Sequence, residues 1–180
     1  MDVRNAIENR VTTYRFLERD VSEEMVVNII NSAISAPAAG GVREYEFIIV
    51  TDKLKKQELS RICLTPNIDS APFMLLIICD KSKLDSIFDE EESAVLCVEN
   101  AALAIENALL AATDYGLGSA WVATLQQEPI KKLLEIPEKY IVRGVIPMGY
   151  AEIKSNKPFN KPTIDIGKIV HLEKFNNNAY

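Results

Sequence analysis

Hydrophobic and polar positions change period along this chain, and each change marks an element. Asp2 to Asn9 reads as a short helix, followed by a polar stretch, Arg10 to Phe16, with neither helical nor strand period. Ser22 then stands as an N-cap with Glu23 and Glu24 in the first turn, ahead of an apolar face of Val26, Ile29, Ile30, Ala33 and Ile34 that must stop before Pro37. Tyr45 to Thr51 is β-branched and aromatic and predicts a strand. Leu54 to Ile62 predicts an amphipathic helix, and Phe73 to Cys79, apolar throughout, a strand covered on both faces.

From Ser93 to Tyr115 the chain is helical in pattern and apolar nearly all round, with Gly116 as its stop. Glu99-Asn100 and Glu106-Asn107 interrupt it seven residues apart, which returns to nearly the same side. Such a helix is buried at the centre of the fold, against a second subunit, or both. A strand around Ala120 to Ala123, a helix from Pro129 to Leu134 and a strand from Val142 to Met148 follow, and the Pro-containing tail from Ala151 runs along a surface. The order lacks regular βαβ alternation and a Gly-rich strand-to-helix turn, so the pattern predicts a layered α+β fold of one domain, residues 1–180.

Composition narrows the chemistry. At 48% hydrophobic and 26% charged, 180 residues sit in the globular range. A net charge of −6 argues against a nucleic-acid partner that needs a broad basic footprint. No stretch reads as a signal peptide or a membrane span, and a reducing cytoplasm is expected. Three cysteines without metal-ligand spacing argue against a metal site or disulfide scaffold. A single histidine, His171, leaves little room for side-chain acid–base or nucleophilic catalysis, so an enzyme of this sequence would draw its chemistry from a cofactor.

Several short segments could hold one. Arg10, Thr12, Tyr14 and Arg15 collect donors suited to a phosphate, or form a solvated turn. Ala36-Pro37-Ala38-Ala39-Gly40-Gly41 would let a flat ring approach the backbone, or is simply a loop. Gly116-Leu117-Gly118 alone is a helix stop plus turn, and Trp121 alone reads as core. Asp89 to Glu92 reads as a solvated acidic loop or a variable element at a pocket mouth. Cys97, within an apolar helix, reads as an inert buried thiol.

Taken in order, these segments resemble the nitroreductase family of FMN-dependent flavoproteins. Arg10 to Phe16 stands where the family has Arg-Arg-Ser-x-Arg-x-Phe, and Ala36 to Ala39 where it has Ala-Pro-Ser-Ala. Arg43-Glu44-Tyr45-Glu46-Phe47 stands in place of Gln-Pro-Trp-x-Phe. Ala104 to Ala112 leads into Gly116-Leu117-Gly118-Ser119-Ala120-Trp121-Val122, close to the family's central helix and Gly-Leu-Gly-Ser-x-Trp turn. Ile146 to Tyr150 and Ile169 to His171 match its last strand and C-terminal arm.

The resemblance implies a three-layer α+β fold with a central mixed, mostly antiparallel sheet flanked by helices. It implies an obligate homodimer with an exchanged C-terminal arm and FMN at the subunit interface. NADH or NADPH would reduce the flavin at N5, and a nitroaromatic, quinone or similar acceptor would reoxidise it in ping-pong fashion. Arg10, Thr12 and Lys161 would hold the phosphate and ribityl chain; Pro37, Ala38 and Ala39 would lie against the ring; Trp121, Val122 and Ala123 would approach N5. Val11, Tyr14, Gly41 and Arg43 occupy further cofactor positions with residues unlike the family's. Arg43 either stabilises negative charge on the reduced flavin or is a surface arginine at a strand start. These departures keep open a second reading, a flavin-binding dimer with lost or altered reductase activity that serves as a sensor or storage protein.

Overall fold

A computed structural model describes residues 1–123, 125–152 and 164–177. Its first four α-helices begin where side chains satisfy orphaned backbone donors. Asp2 accepts from Asn5 N–H at the start of α1 (Val3–Asn9), Ser22 from Met25 at α2 (Glu23–Ile34), and Asp52 from Lys55 at α3 (Lys53–Ile62). The central helix α4 (Glu90–Asp114) is capped by Asp89, which accepts from Glu92 N–H, and it ends at Gly116 with φ 73°. The acidic stretch is therefore not a loop: Asp89 is the cap and Glu90 to Glu92 are the first turn, where the helix dipole favours negative charge. Helix α5 (Gln127–Leu134) starts two residues before Pro129.

Strands β1 (Tyr45–Val50), β2 (Phe73–Cys79), β3 (Gly118–Ser119) and β4 (Ile141–Gly149) form one sheet in the order β1-β2-β4-β3, with antiparallel pairing throughout. Among the described residues the parallel component is a single bridge, Thr12 to Ser119. The strand expected at Ala120 to Ala123 is shorter and earlier, β3 itself, with only an isolated bridge from Val122 to Val145 beyond it. Every residue of β2 is buried, because helices cover both faces. Phe73, Leu75, Ile77 and Cys79 face α2 and α4, while Met74, Leu76 and Ile78 belong to the core beside α3 and α5.

Two irregularities position the site. Between Ile77 and Ile78 the β2/β4 register skips from Gly144 to Val142, so Arg143 is the extra residue of a bulge. Gly118, Gly144 and Gly149 lie where a Cβ would meet Thr13, Trp121 and Pro72 at 3.0 Å or less, so these glycines let the N-terminal segment and the Trp121 indole lie flat on the sheet. Helix α4 is long and apolar enough by composition to cross a membrane, beyond what the apolar runs of the sequence suggest. Cys97, Ala101, Ala104, Ile105 and Ala108 nevertheless pack it into the core. Its other side carries Val95, Val98 and Leu103, which are 52%, 47% and 45% exposed.

Candidate functional site

The expected site residues fall into two groups. The first gathers at β3. Thr12 bridges Ser119, Thr13 N–H donates to Ser119 O at 2.9 Å, and the chain continues from Ser119 directly into Trp121, Val122 and Ala123. Arg10 is half-buried, with Nε 3.4 Å from Glu106 Oε1, and Thr12 and Tyr14 are exposed. Trp121 is not core: it is 40% exposed, and its Nε1–H donates to Arg143 O at 3.2 Å. Val122 N–H is committed to Val145 O at 3.0 Å.

The second group is the turn from Pro37 to Arg43. Its glycines, Gly40 and Gly41, sit at φ 59° and 72°, and no atom lies within 4 Å of a Cβ built on Gly41. Ala38 and Ala39 are half-buried. Arg43 Nε donates to Ile34 O at 2.8 Å, closing the last turn of α2, and its guanidinium lies beside Tyr45. The turn is fastened to α4 by Ala39 N–H, which donates to Asn100 Oδ1 at 3.0 Å. Asn100 and Glu106, the partners of the two groups, lie about 120° apart around α4. One chain therefore presents the groups on different sides of its central helix. Lys161 lies outside the described residues. A cavity of about 1090 Å³ beside Phe16, Lys56 and Phe73 is lined by Arg15, one of the four candidate phosphate donors, but by none of Arg10, Thr12, the Pro37 to Arg43 turn or Trp121.

Sequence spacing gave no sign of a third feature. Glu44, Cys79 and Cys97 bring ligand-capable atoms within 4.8 Å of one another, all buried. Arg143 Nη2 donates to Cys97 Sγ at 3.5 Å, and Glu44 Oε2 accepts from Asn100 Nδ2 at 3.0 Å. A hydrogen bond from Cys79, with Arg143 beside it, holds the Cys97 thiol down to about 7, whereas Cys79 is pushed up by the same hydrogen bond and by burial. Cys97 is fully buried, as expected, but its surroundings are not purely apolar, because the Arg143 guanidinium donates to its sulfur. The guanidinium already supplies positive charge where a metal cation would sit, which disfavours a second cation there.

The profile of the Nitroreductase family matches residues 7–67 and 63–150. The chain belongs to the nitroreductase family. Among relatives, a protein of Methanothermobacter thermautotrophicus, provisionally named an NADH dehydrogenase/NAD(P)H nitroreductase, is 30% identical over 97% of this chain and 88% of its own length. An FMN reductase [NAD(P)H] of Bacillus subtilis is 26% identical, over 90% of this chain and 70% of the relative. Among solved structures, B. megaterium NfrA2 superposes with a TM-score of 0.86 at 25% identity, covering 98% of this chain and 76% of that one.

Within this nitroreductase-family chain, the residues that sequence reasoning missed are Glu44 and Arg143. Arg143 had a visible signal, as the one charged residue in an otherwise apolar strand, whereas Glu44, in the polar pair just before β1, had none.

Proposed function

We propose that this chain is an FMN-dependent NAD(P)H oxidoreductase acting as a homodimer, with a nitroaromatic, a quinone or a similar small molecule as electron acceptor. The reading rests on one observation above the others: in a chain of this family, the bridge from Thr12 to Ser119 seats the segment that carries Arg10 and Thr12 on β3, the strand that leads into the exposed Trp121. The named activities of the M. thermautotrophicus and B. subtilis relatives agree with it.

The residues fit the cofactor. Arg10 supplies charge-assisted donors and Thr12 a hydroxyl for a phosphate. The Glu106 partner of Arg10 is half exposed, so a phosphate displaces it at little cost. Ala38, Ala39 and Gly41 leave room for a planar ring, and the Trp121 indole offers an apolar edge. Because the two groups sit on different sides of α4, a second copy packed on the Val95, Val98 and Leu103 stripe is what would bring them to one pocket. When bound, FMN supplies reversible two-electron transfer. The chain's part is to neutralise the phosphate, exclude water with apolar walls, and admit donor and acceptor to the same pocket in turn, which gives ping-pong kinetics.

Absorbance of the purified protein tests the reading. Yellow protein whose flavin band bleaches with NADH or NADPH, recovers with a quinone, and gives parallel double-reciprocal lines supports it. Colourless protein that FMN cannot reconstitute overturns it, and yellow protein that neither nicotinamide reduces favours the flavin-binding dimer without reductase activity.

A further inference from the structure

A line of polar groups crosses the apolar core and ends at both segments assigned to the cofactor. At one end Trp121 Nε1–H donates to Arg143 O. The bulge at Arg143 turns its guanidinium inward, where Nη2 donates to Cys97 Sγ at 3.5 Å. Cys97 shares a cluster with Cys79 and Glu44. Glu44 then accepts from Asn100 at 3.0 Å, and Asn100 accepts from Ala39 N–H at 3.0 Å.

Glu44 and Asn100 are 0% and 2% exposed. Burying a carboxylate and an amide costs several kcal/mol unless their partners are well placed, and an apolar pair would fill the same space without that cost. The backbone does not demand them. Asp80 N–H bonds the Glu44 carbonyl at 2.8 Å whatever the side chain. What the side chains do add is direction. The turn's own bonds, Gly41 N–H to Ala38 O and Val42 N–H to Ala39 O, leave it able to pivot at two left-handed glycines, and Asn100 ties it to α4.

We propose that Glu44 and Asn100 are positioning residues for the cofactor. Asn100 fixes Ala39 N–H and with it the Pro37 to Gly41 turn, Glu44 fixes Asn100, and Arg143 holds the Trp121 edge against the same cluster. The inference rests on the FMN reading, but its first measurement does not.

Asn100→Leu keeps the branched shape and the number of heavy atoms and removes both hydrogen bonds, whereas Glu44→Gln keeps an acceptor for Asn100. In the first variant, amide hydrogen exchange over residues 37–43 should quicken about tenfold, and FMN should bind about tenfold more weakly with a shifted flavin potential, the loss of about one hydrogen bond. Glu44→Gln should keep exchange and affinity near wild type. The double variant Asn100→Leu with Glu44→Leu removes the buried carboxylate together with the amide it partners, so it keeps the test available if Asn100→Leu fails to fold, and it should show the same losses. Unchanged exchange, or unchanged FMN affinity and potential, in a folded variant lacking Asn100 overturns the proposal, as does a loss in Glu44→Gln equal to that in Asn100→Leu. Wild-type protein that takes up no FMN overturns the cofactor reading instead, while the exchange rates still judge the tether.

Discussion

The two faces of the sheet are built to different ends. Toward α3 and α5, Met74, Leu76 and Ile78 meet Leu59, Ile62, Ile130 and Val145, large aliphatic side chains closely packed. The buried cations on that side reach rim carbonyls: Lys56 Nζ donates to Ala71 O at 2.6 Å, and Lys131 Nζ to Glu138 O at 3.1 Å. Toward α2 and α4 the wall is largely alanine, with Ala33, Ala101, Ala104, Ala108 and Ala112, and the interior admits Glu44, Asn100 and the Cys79/Cys97 pair. One face maximises dispersion and hydrophobic burial. The other gives up part of both for directional bonds, and both groups of candidate site residues bond to α4, each on a different side of the helix.

Substitutions can break or sharpen this contrast. The largest effect belongs to the packed face: Leu76→Ala should cost about 2–5 kcal/mol of unfolding free energy by denaturant titration while the folded protein binds FMN as before. A parallel fall in FMN affinity would erase the distinction between the faces. Next, Arg10→Ala should weaken FMN binding about ten- to a hundredfold by fluorescence titration with almost no change in Tm, since its Glu106 partner is half exposed.

A smaller effect is a pH dependence. Cys97 is held at about 7 against an ordinary 9.0, so between these values the unfolded chain keeps a proton that the folded chain has lost. Stability should therefore rise from about pH 7 to about pH 9 and lose this contribution below about pH 7. Above about pH 9 the raised Cys79 works the other way, because the unfolded chain releases a proton that the folded chain retains. Unfolding midpoints across this range should pass through a maximum that Cys97→Ser flattens. The smallest effect belongs to neither face: Arg61→Ala removes an exposed pair with Glu58 and should leave Tm and FMN affinity unchanged.

Most elements were legible because their signals are local. Ser22 before two glutamates, the unbroken run from Phe73 to Cys79 and the glycine after Tyr115 each fix a boundary through neighbours in sequence. Asp89 was misjudged because an acidic run at a helix start looks like an acidic loop until its cap bond to Glu92 N–H is seen. Trp121 alone reads as core because size and hydrophobicity say nothing about the space that Gly144 leaves beside Ile105, where the indole rests with one edge in solvent. The arrangement of the site was the least legible. Bringing Glu44, Cys97, Asn100 and Arg143 together depends on a bulge and on contacts between residues 46 to 61 positions apart, which no spacing rule reaches.

The seam between the N-terminal segment and the sheet has a consequence for the life of the chain in a crowded solution. Residues 10–17 do more than carry donors. Thr12 and Thr13 pair with Ser119, Phe16 bridges Ala151, and Leu17 N–H donates to Tyr150 O at 2.8 Å, so this strip covers the flank of a two-residue edge strand. Uncovered strand edges recruit other chains and seed aggregation. If the strip also grips the phosphate, cofactor binding and edge protection draw on the same few residues, so a substitution there bears on solubility as well as on the flavin.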